Sequence, residues 1–203
     1  MKTKREMLDI YVIALPDAPI DKPLVPTERD DEVRAIGSAL VRREKYFAWR
    51  LLETALWSSL GISIGDAGLR KGENGKWHSD ACELSITHGG GFVAVAISSF
   101  AVGIDVQELV EARSTRFAER IMTDAEFVRY SLLDGDDARR YLTECWTRKE
   151  ALFKMRDLMA FVPRDYESND ERVVSKALCL SGKECVLSVA SEYIEALEFK
   201  TEI

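Results

Sequence analysis

The chain has 203 residues, enough for one substantial core or two small, closely packed ones. Apolar residues make up 46% and charged residues 31%, the balance of a soluble globular protein. A formal net charge of −7 argues against a general nucleic-acid binder, because no basic excess exists to displace counterions.

Residues 8–15 read as a short apolar strand, followed by a loop holding Pro16, Pro19, Pro23 and Pro26. The apolar run of residues 10–15 is too short for the core of a secretion signal, and no stretch approaches bilayer-spanning length. A cytoplasmic protein is therefore expected. Helix is predicted from about residue 30, with a break near Gly37. Over residues 40–60, Leu40, Phe47, Leu51, Leu52, Ala55, Leu56 and Leu60 recur at helical spacing, and Gly61 is a natural terminator. Residues 65–78 are rich in glycine and charge, and Asn74-Gly75 favours a tight turn.

Two strand-like runs follow, residues 82–87 and 91–98, around His88-Gly89-Gly90, which suits a hairpin or backbone that passes close to a ligand. In the next run, 102–107, Gly103, Asp105 and Gln107 share one face; Val102, Ile104 and Val106 share the other. A helix is expected around 116–121, and a second opens at Thr123, where Thr123-x-x-Glu126 fits a capping box. A long helix is predicted over 136–159. Strands at 173–180 and 185–190, joined at Ser181-Gly182, and a third at 194–199 complete the chain. Helices followed by antiparallel strands in each half predict a duplicated α+β architecture with a cleft between the halves, although no sequence repeat is visible.

The four cysteines Cys82, Cys145, Cys179 and Cys185 lack Cys-x-x-Cys spacing and are expected to be small buried thiols. Local basic patches are sought at Arg42, Arg43, Lys45 and Arg50, at Arg70, Lys71 and Lys76, and at Arg148, Lys149 and Lys154.

Asp105 and Glu150 are far apart in sequence, so only folding can unite them. Together they would suit a hard divalent cation such as Mg²⁺, which takes one or two carboxylates and completes its shell with water and substrate phosphate. Gln107, on the same strand face, adds a neutral oxygen with weaker pull than a carboxylate. Glu150 and Lys154 lie one helical turn apart; an exposed pair worth a few tenths of a kcal/mol is the plainer account. Taken singly, Asp105 is more often a turn or cap residue than a ligand, and His88 more often a surface hairpin residue than a phosphate contact. Arg50 is either a stem covering apolar surface or an anion clamp.

These segments, in this order, resemble the 4′-phosphopantetheinyl transferase superfamily. They lie closer to its larger pseudo-dimeric, surfactin-synthetase-activating type than to the short trimeric synthases. The family pattern joins a Gly-hydrophobic-Asp-hydrophobic-Glu strand to a Trp-x-x-Lys-Glu-x-x-x-Lys helix. Here these stand as Gly103-Ile104-Asp105-Val106-Gln107 and Trp146-Thr147-Arg148-Lys149-Glu150-Ala151-Leu152-Phe153-Lys154. Leu84-Ser85-Ile86-Thr87-His88-Gly89-Gly90 is similar to the family's Ser-x-Ser-His segment, Gly75-Lys76-Trp77 to its Gly-Lys-Pro, and Ala48-Trp49-Arg50-Leu51-Leu52 to its early Arg-bearing helix. Residues 120–126 resemble the segment that precedes its long helix.

The resemblance implies a pseudo-twofold fold with two similar halves, 1–102 and 103–203, each packing helices on an antiparallel sheet around an active-site cleft. It implies that a monomer moves the 4′-phosphopantetheine arm of coenzyme A to a serine of an apo acyl or peptidyl carrier protein. Mg²⁺ would be held by Asp105, Gln107 and Glu150. Arg50, Lys76, Thr87, His88 and Lys154 would bind coenzyme A, with Glu150 and Lys154 catalytic. No nucleic acid or membrane partner is implied. Two positions depart from the pattern: Gln107 replaces an acid, and Trp77 replaces a proline. The first opens an alternative, a catalytically impaired homologue that binds coenzyme A or a carrier protein. A metal-dependent phosphohydrolase would also use such carboxylates, but the sequence has no His-rich or multi-Asp cluster.

Overall fold

A computed structural model describes residues 6–109 and 115–200. Strand β1 (Leu8–Ala14) alternates Leu8, Ile10 and Val12 with Tyr11, so it presents apolar side chains to both of its faces. Helix α1 (Thr27–Arg34) begins a little earlier than expected, directly after Pro26. Helix α2 (Ala39–Leu60) is capped by the Ser38 hydroxyl, which accepts from the Val41 amide, and it ends at Gly61 with φ 69°. The short strands β2 (Arg70–Lys71) and β3 (Trp77–His78) turn a stretch read as loop into a small hairpin around Gly75, at φ 85°.

Strands β4 (Glu83–Gly89) and β5 (Phe92–Ser98) form the expected hairpin, and β5 is buried along its whole length. After β6 (Val102–Glu108) come α3 (Thr115–Ile121) and α4 (Asp124–Tyr130), whose capping box is made in full by Thr123 and Glu126. Helix α5 (Gly135–Arg156) stops short of residue 159 because Asp157 takes φ 54°. Then β7 (Val173–Leu180) and β8 (Lys183–Ser191) turn at Ser181-Gly182, and β9 (Leu197–Lys200) follows.

Two main sheets result, ordered β4-β5-β1-β9 and β6-β8-β7. All strand pairs are antiparallel except β1–β9, which is parallel. The wholly antiparallel expectation is corrected at that pair: the last strand crosses back to extend the sheet begun by the first. Leu8, Ile10, Val12, Phe92, Ala94 and Ala96 of the first sheet pack on Val102, Ile104, Val106, Leu187 and Val189 of the second. On its outer face the first sheet carries α2, through Leu52, Leu56, Val93, Val95 and Ile97. The second carries α5, through Ala151, Leu152, Val173 and Ala190. The layers therefore run helix, sheet, sheet, helix.

Cys145 and Cys185 are buried as expected, and burial pushes the Cys145 thiol up to about 11. Cys179 departs from the expectation, being exposed, and Cys82 is half-buried. Among the described residues no helix is long and apolar enough to cross a membrane.

Candidate active site

The face of β6 that carries Gly103 and Asp105 lies under α5. An added Cβ at Gly103 would stand 1.9 Å from the Ala151 carbonyl oxygen, so helix and strand touch backbone to backbone. That approach lowers Glu150 and Lys154, neighbours across one turn, onto Asp105. Lys154 Nζ donates to Asp105 Oδ1 at 2.8 Å and pairs with Glu150 Oε2 at 3.1 Å. The plainer reading of an exposed helical pair is thereby corrected: each side chain keeps only 23% of its surface.

Thr87 Oγ1, from β4, donates to the same Asp105 Oδ1 at 2.7 Å. The other oxygen, Asp105 Oδ2, is buried without a hydrogen-bond partner. Burial first, then the neighbouring Asp105 carboxylate, raises the Glu150 pKa above the usual range. Burial alone would lower Lys154, but the Asp105 and Glu150 carboxylates outweigh it and raise that ammonium's pKa. Gln107 rests its amide against the turn after β4; a Cβ on Gly89 would lie 2.9 Å from Gln107 Oε1, so a side chain there would crowd it.

Lys76 Nζ donates to the Lys154 carbonyl at 2.8 Å, and burial lowers its pKa. Its loop is fixed at both ends. Asn74 donates to Asp157 Oδ1 at 2.6 Å, while Trp77 meets Trp49 edge-on at 4.6 Å with the Arg29 guanidinium over both rings. Trp77 thus anchors the loop to α2 at the place where the family pattern has proline. A pocket of about 210 Å³ opens here, walled by Lys76, Trp77, Ser85, Phe153 and Lys154.

Two expected donor-binding residues stand apart from this cluster. His88, next after Thr87 on β4, turns instead to α2, its Nδ1 3.3 Å from Glu44 Oε2. Burial lowers its pKa, against the opposing pull of Glu44. Arg50, on α2, is paired with Glu53 one turn along. The third of the sought basic patches does not form. Lys149 is fully buried on Glu126, Arg148 donates to the carbonyls of Ser168, Asp170 and Val173, and Lys154 belongs to the cluster.

Sequence reasoning missed several polar partners. Glu44 is buried and also accepts from the Gly91 amide at 3.3 Å. Ser85 Oγ accepts from the Ile104 amide at 3.2 Å, tying β4 to the free edge of β6. Thr147, Ser188 and Ser175 form a hydroxyl chain at 2.7 and 2.8 Å. For Ser85, Ser175 and Ser188, polar positions within strands, that placement was the available signal. A larger cavity of about 500 Å³ lies on a different face of α5, between Arg129, Tyr141, Glu144 and Ser168, and holds none of the expected residues.

Comparison with known proteins singles out the part of the chain that runs from β6 into β8. Residues 101–187 match the family profile of the 4′-phosphopantetheinyl transferase superfamily. The matched segment contains Asp105, Glu150 and Lys154 and leaves out Thr87 and Lys76. The chain is also similar to the holo-[acyl-carrier-protein] synthase of Streptococcus suis (strain 05ZYH33), at 42% identity over 57 residues. That alignment covers 26% of this chain and 48% of the synthase, so the chain spans about half the length of this curated relative.

Proposed function

We propose that this protein transfers the 4′-phosphopantetheine arm of coenzyme A to a serine of an apo acyl or peptidyl carrier protein, releasing 3′,5′-ADP in a Mg²⁺-dependent reaction. The observation that carries the proposal is the meeting of Asp105, Glu150 and Lys154 beside a pocket walled by Lys76. The superfamily segment and the synthase similarity support the class of reaction.

The donor set fits a hard cation. Asp105 Oδ2 is buried and unpartnered, Glu150 lies beside it, and Gln107 stands two residues along the same strand face. Asp105 and Glu150 would hold the ion, with Gln107 as a neutral oxygen ligand. Once bound, the ion supplies charge neutralisation at the pyrophosphate.

Glu150 takes the proton of the attacking serine. Lys154, held protonated by the two acids, offsets the charge growing on the departing 3′,5′-ADP. Lys76 loses solvation by burial and so gains from an anion in the pocket. Thr87 keeps Asp105 oriented and lies at the donor's edge of the site. Arg50 and His88 are assigned to the donor's 3′-phosphate, which requires Arg50 to leave Glu53 and His88 to leave Glu44. Positioning and charge neutralisation carry most of such a reaction.

In this proposal the halves 1–102 and 103–203 are the pseudo-twofold units of the surfactin-synthetase-activating type. The cleft lies between them, and a cytoplasmic monomer suffices. The helix-sheet-sheet-helix layering supports the duplication. The test is incubation with coenzyme A, Mg²⁺ and apo carriers of fatty acid, polyketide and peptide synthesis, followed by mass spectrometry. Gain of one phosphopantetheine mass is expected, and no gain on any carrier would sink the proposal.

Gln107 favours a second reading, a homologue that binds coenzyme A or a carrier protein without turnover. Calorimetry separates the two. Coenzyme A binding unaffected by Mg²⁺, with no transfer, supports the second. Activity gained by Gln107→Glu would trace the impairment to the metal site.

A further inference from the structure

Two acids held side by side under a helix need positive charge, and the chain supplies it from within. The Lys154 ammonium lies 2.8 Å from Asp105 Oδ1 and 3.1 Å from Glu150 Oε2. It also reaches the Ile104 carbonyl at 3.2 Å and the Thr87 hydroxyl at 3.3 Å. Four oxygens thus surround one positive nitrogen that has three N–H donors to offer. This is the surrounding of a coordinated cation, built around a side chain.

We propose that Lys154 is the resident cation of the Asp105–Glu150 site in the metal-free chain. A divalent ion enters as the ammonium withdraws from one or both carboxylates. The proposal rests on reading Asp105 and Glu150 as cation ligands and adds a competitor to that site.

Three features make the exchange workable. A lysine is a compact point charge on a flexible stem, able to leave without dismantling a bidentate fork. Lys154 borders the pocket of about 210 Å³, so its ammonium has space to enter. The Thr87 hydroxyl donates to Asp105 Oδ1 at 2.7 Å and keeps that carboxylate aimed when the ammonium goes.

The same pocket is walled by Lys76, whose ammonium is 2.8 Å from the Lys154 carbonyl. An occupant bearing phosphate would offer both lysines an anion and so draw Lys154 off the acids. Cation entry and donor entry are in this way coupled through one side chain.

The test is calorimetric binding of Mn²⁺ to the full chain at one pH and ionic strength, without coenzyme A or acceptor. Wild type is compared with Lys154→Met and Asp105→Asn. Removal of the competitor is expected to tighten Mn²⁺ binding by about tenfold or more, the scale of a half-buried ion pair, and Asp105→Asn to abolish it. Thermal melting gives a second readout. Lys154→Met melts lower than wild type without Mn²⁺ and recovers more on its addition, because its two acids then lack a counter-ion. Lys154→Gln serves where the methionine variant does not fold. Mn²⁺ bound equally by wild type and Lys154→Met overturns the resident-cation role and leaves the cation-ligand assignment standing. Mn²⁺ bound by neither overturns both.

Discussion

Gly103 and Ala151 meet so closely that a single methyl on Gly103 would stand 1.9 Å from the Ala151 carbonyl oxygen. The obstacle is helix backbone, which cannot rotate aside as a side chain would. Glu150 precedes Ala151 and Asp105 lies two residues beyond Gly103, so this contact sets the distance between the two acids. Gly103→Ala is expected to push α5 off β6. Overpacking of this kind costs about 1–3 kcal/mol, and more where backbone must move. A fall in urea midpoint together with loss of Mn²⁺ binding is the expected result. A variant with wild-type values of both would show that the contact does not set the site.

Glu150→Gln and Lys154→Ala each remove a group from the reacting centre and leave the apolar face of α5 in place. Ala151, Leu152 and Met155, which anchor the helix, are untouched. Transfer to an apo carrier should fall by about a hundredfold or more in each, the scale of a lost acid–base or charge-stabilising group. Helical circular dichroism should stay near wild type. Turnover retained in both variants, read by carrier mass, would remove the mechanism.

The pH profile follows from the direction of two shifts. Glu150 is raised by burial and by Asp105, and it works as a base only when ionised. In the metal-free chain its carboxyl should therefore titrate above the ordinary glutamate value of about 4.3, read by carboxyl-resolved NMR. Lys154 is raised by its carboxylate neighbours despite burial, so loss of its charge lies above the ordinary lysine value of about 10.4. Stability behaves oppositely for Glu150. The fold holds its proton more tightly than the unfolded chain does, so that contribution is present below the unfolded pKa and is lost as pH rises through the folded one. A metal-free Glu150 titrating at or below the ordinary glutamate value would contradict its burial beside Asp105.

Much of this geometry was legible because it follows local period. Alternation along residues 102–107 placed Gly103, Asp105 and Gln107 on one face, and that face lies under α5. One-turn spacing paired Glu150 with Lys154, as observed. Local rules also fixed Gly61 as a helix end and Thr123-x-x-Glu126 as a capping box. Long-range pairing was not legible. Nothing near residues 194–199 announces that β9 joins β1 in parallel, since that depends on how the chain returns across both sheets. His88 adjoins Thr87, but strand alternation aims it at Glu44, and no local pattern marks Glu44 as a buried partner. Lys149 looked like surface charge because its partner, Glu126, already had a local role in the capping box.

Asp170 should govern part of the acid sensitivity. It accepts from the Arg172 amide and Nε at 2.9 Å and from Arg172 Nη2 at 2.6 Å. Those hydrogen bonds, against a smaller opposing burial effect, hold its carboxyl down at about 2. A lowered folded pKa contributes stability above the unfolded value, about 3.9, and loses it as pH falls through the folded one. Asp170→Asn should lower the urea midpoint near neutrality, and the gap from wild type should close as pH approaches about 2. A gap independent of pH would mean that Asp170 acts by packing alone.

Lys149 and Glu126 carry the heaviest structural consequence outside the site. The Lys149 ammonium, fully buried, donates to Glu126 Oε2 and, at 2.9 Å, to the Ile121 carbonyl at the end of α3. Glu126 in turn accepts from the Thr123 amide at 2.9 Å and from the Ser168 amide at 2.7 Å. Burial would raise its pKa, but the bonds from Lys149 and Ser168 outweigh that and lower it. One pair thus ties α3, α4 and the segment at Ser168 to α5. Lys149→Met leaves an ionised, uncompensated carboxylate inside the protein and should cost about 3–5 kcal/mol by chemical denaturation. Adding Glu126→Gln neutralises that orphan and should return part of the loss, so the double variant is expected to be more stable than Lys149→Met alone. Equal stability of single and double variants would show that the acid is relieved by water rather than by Lys149.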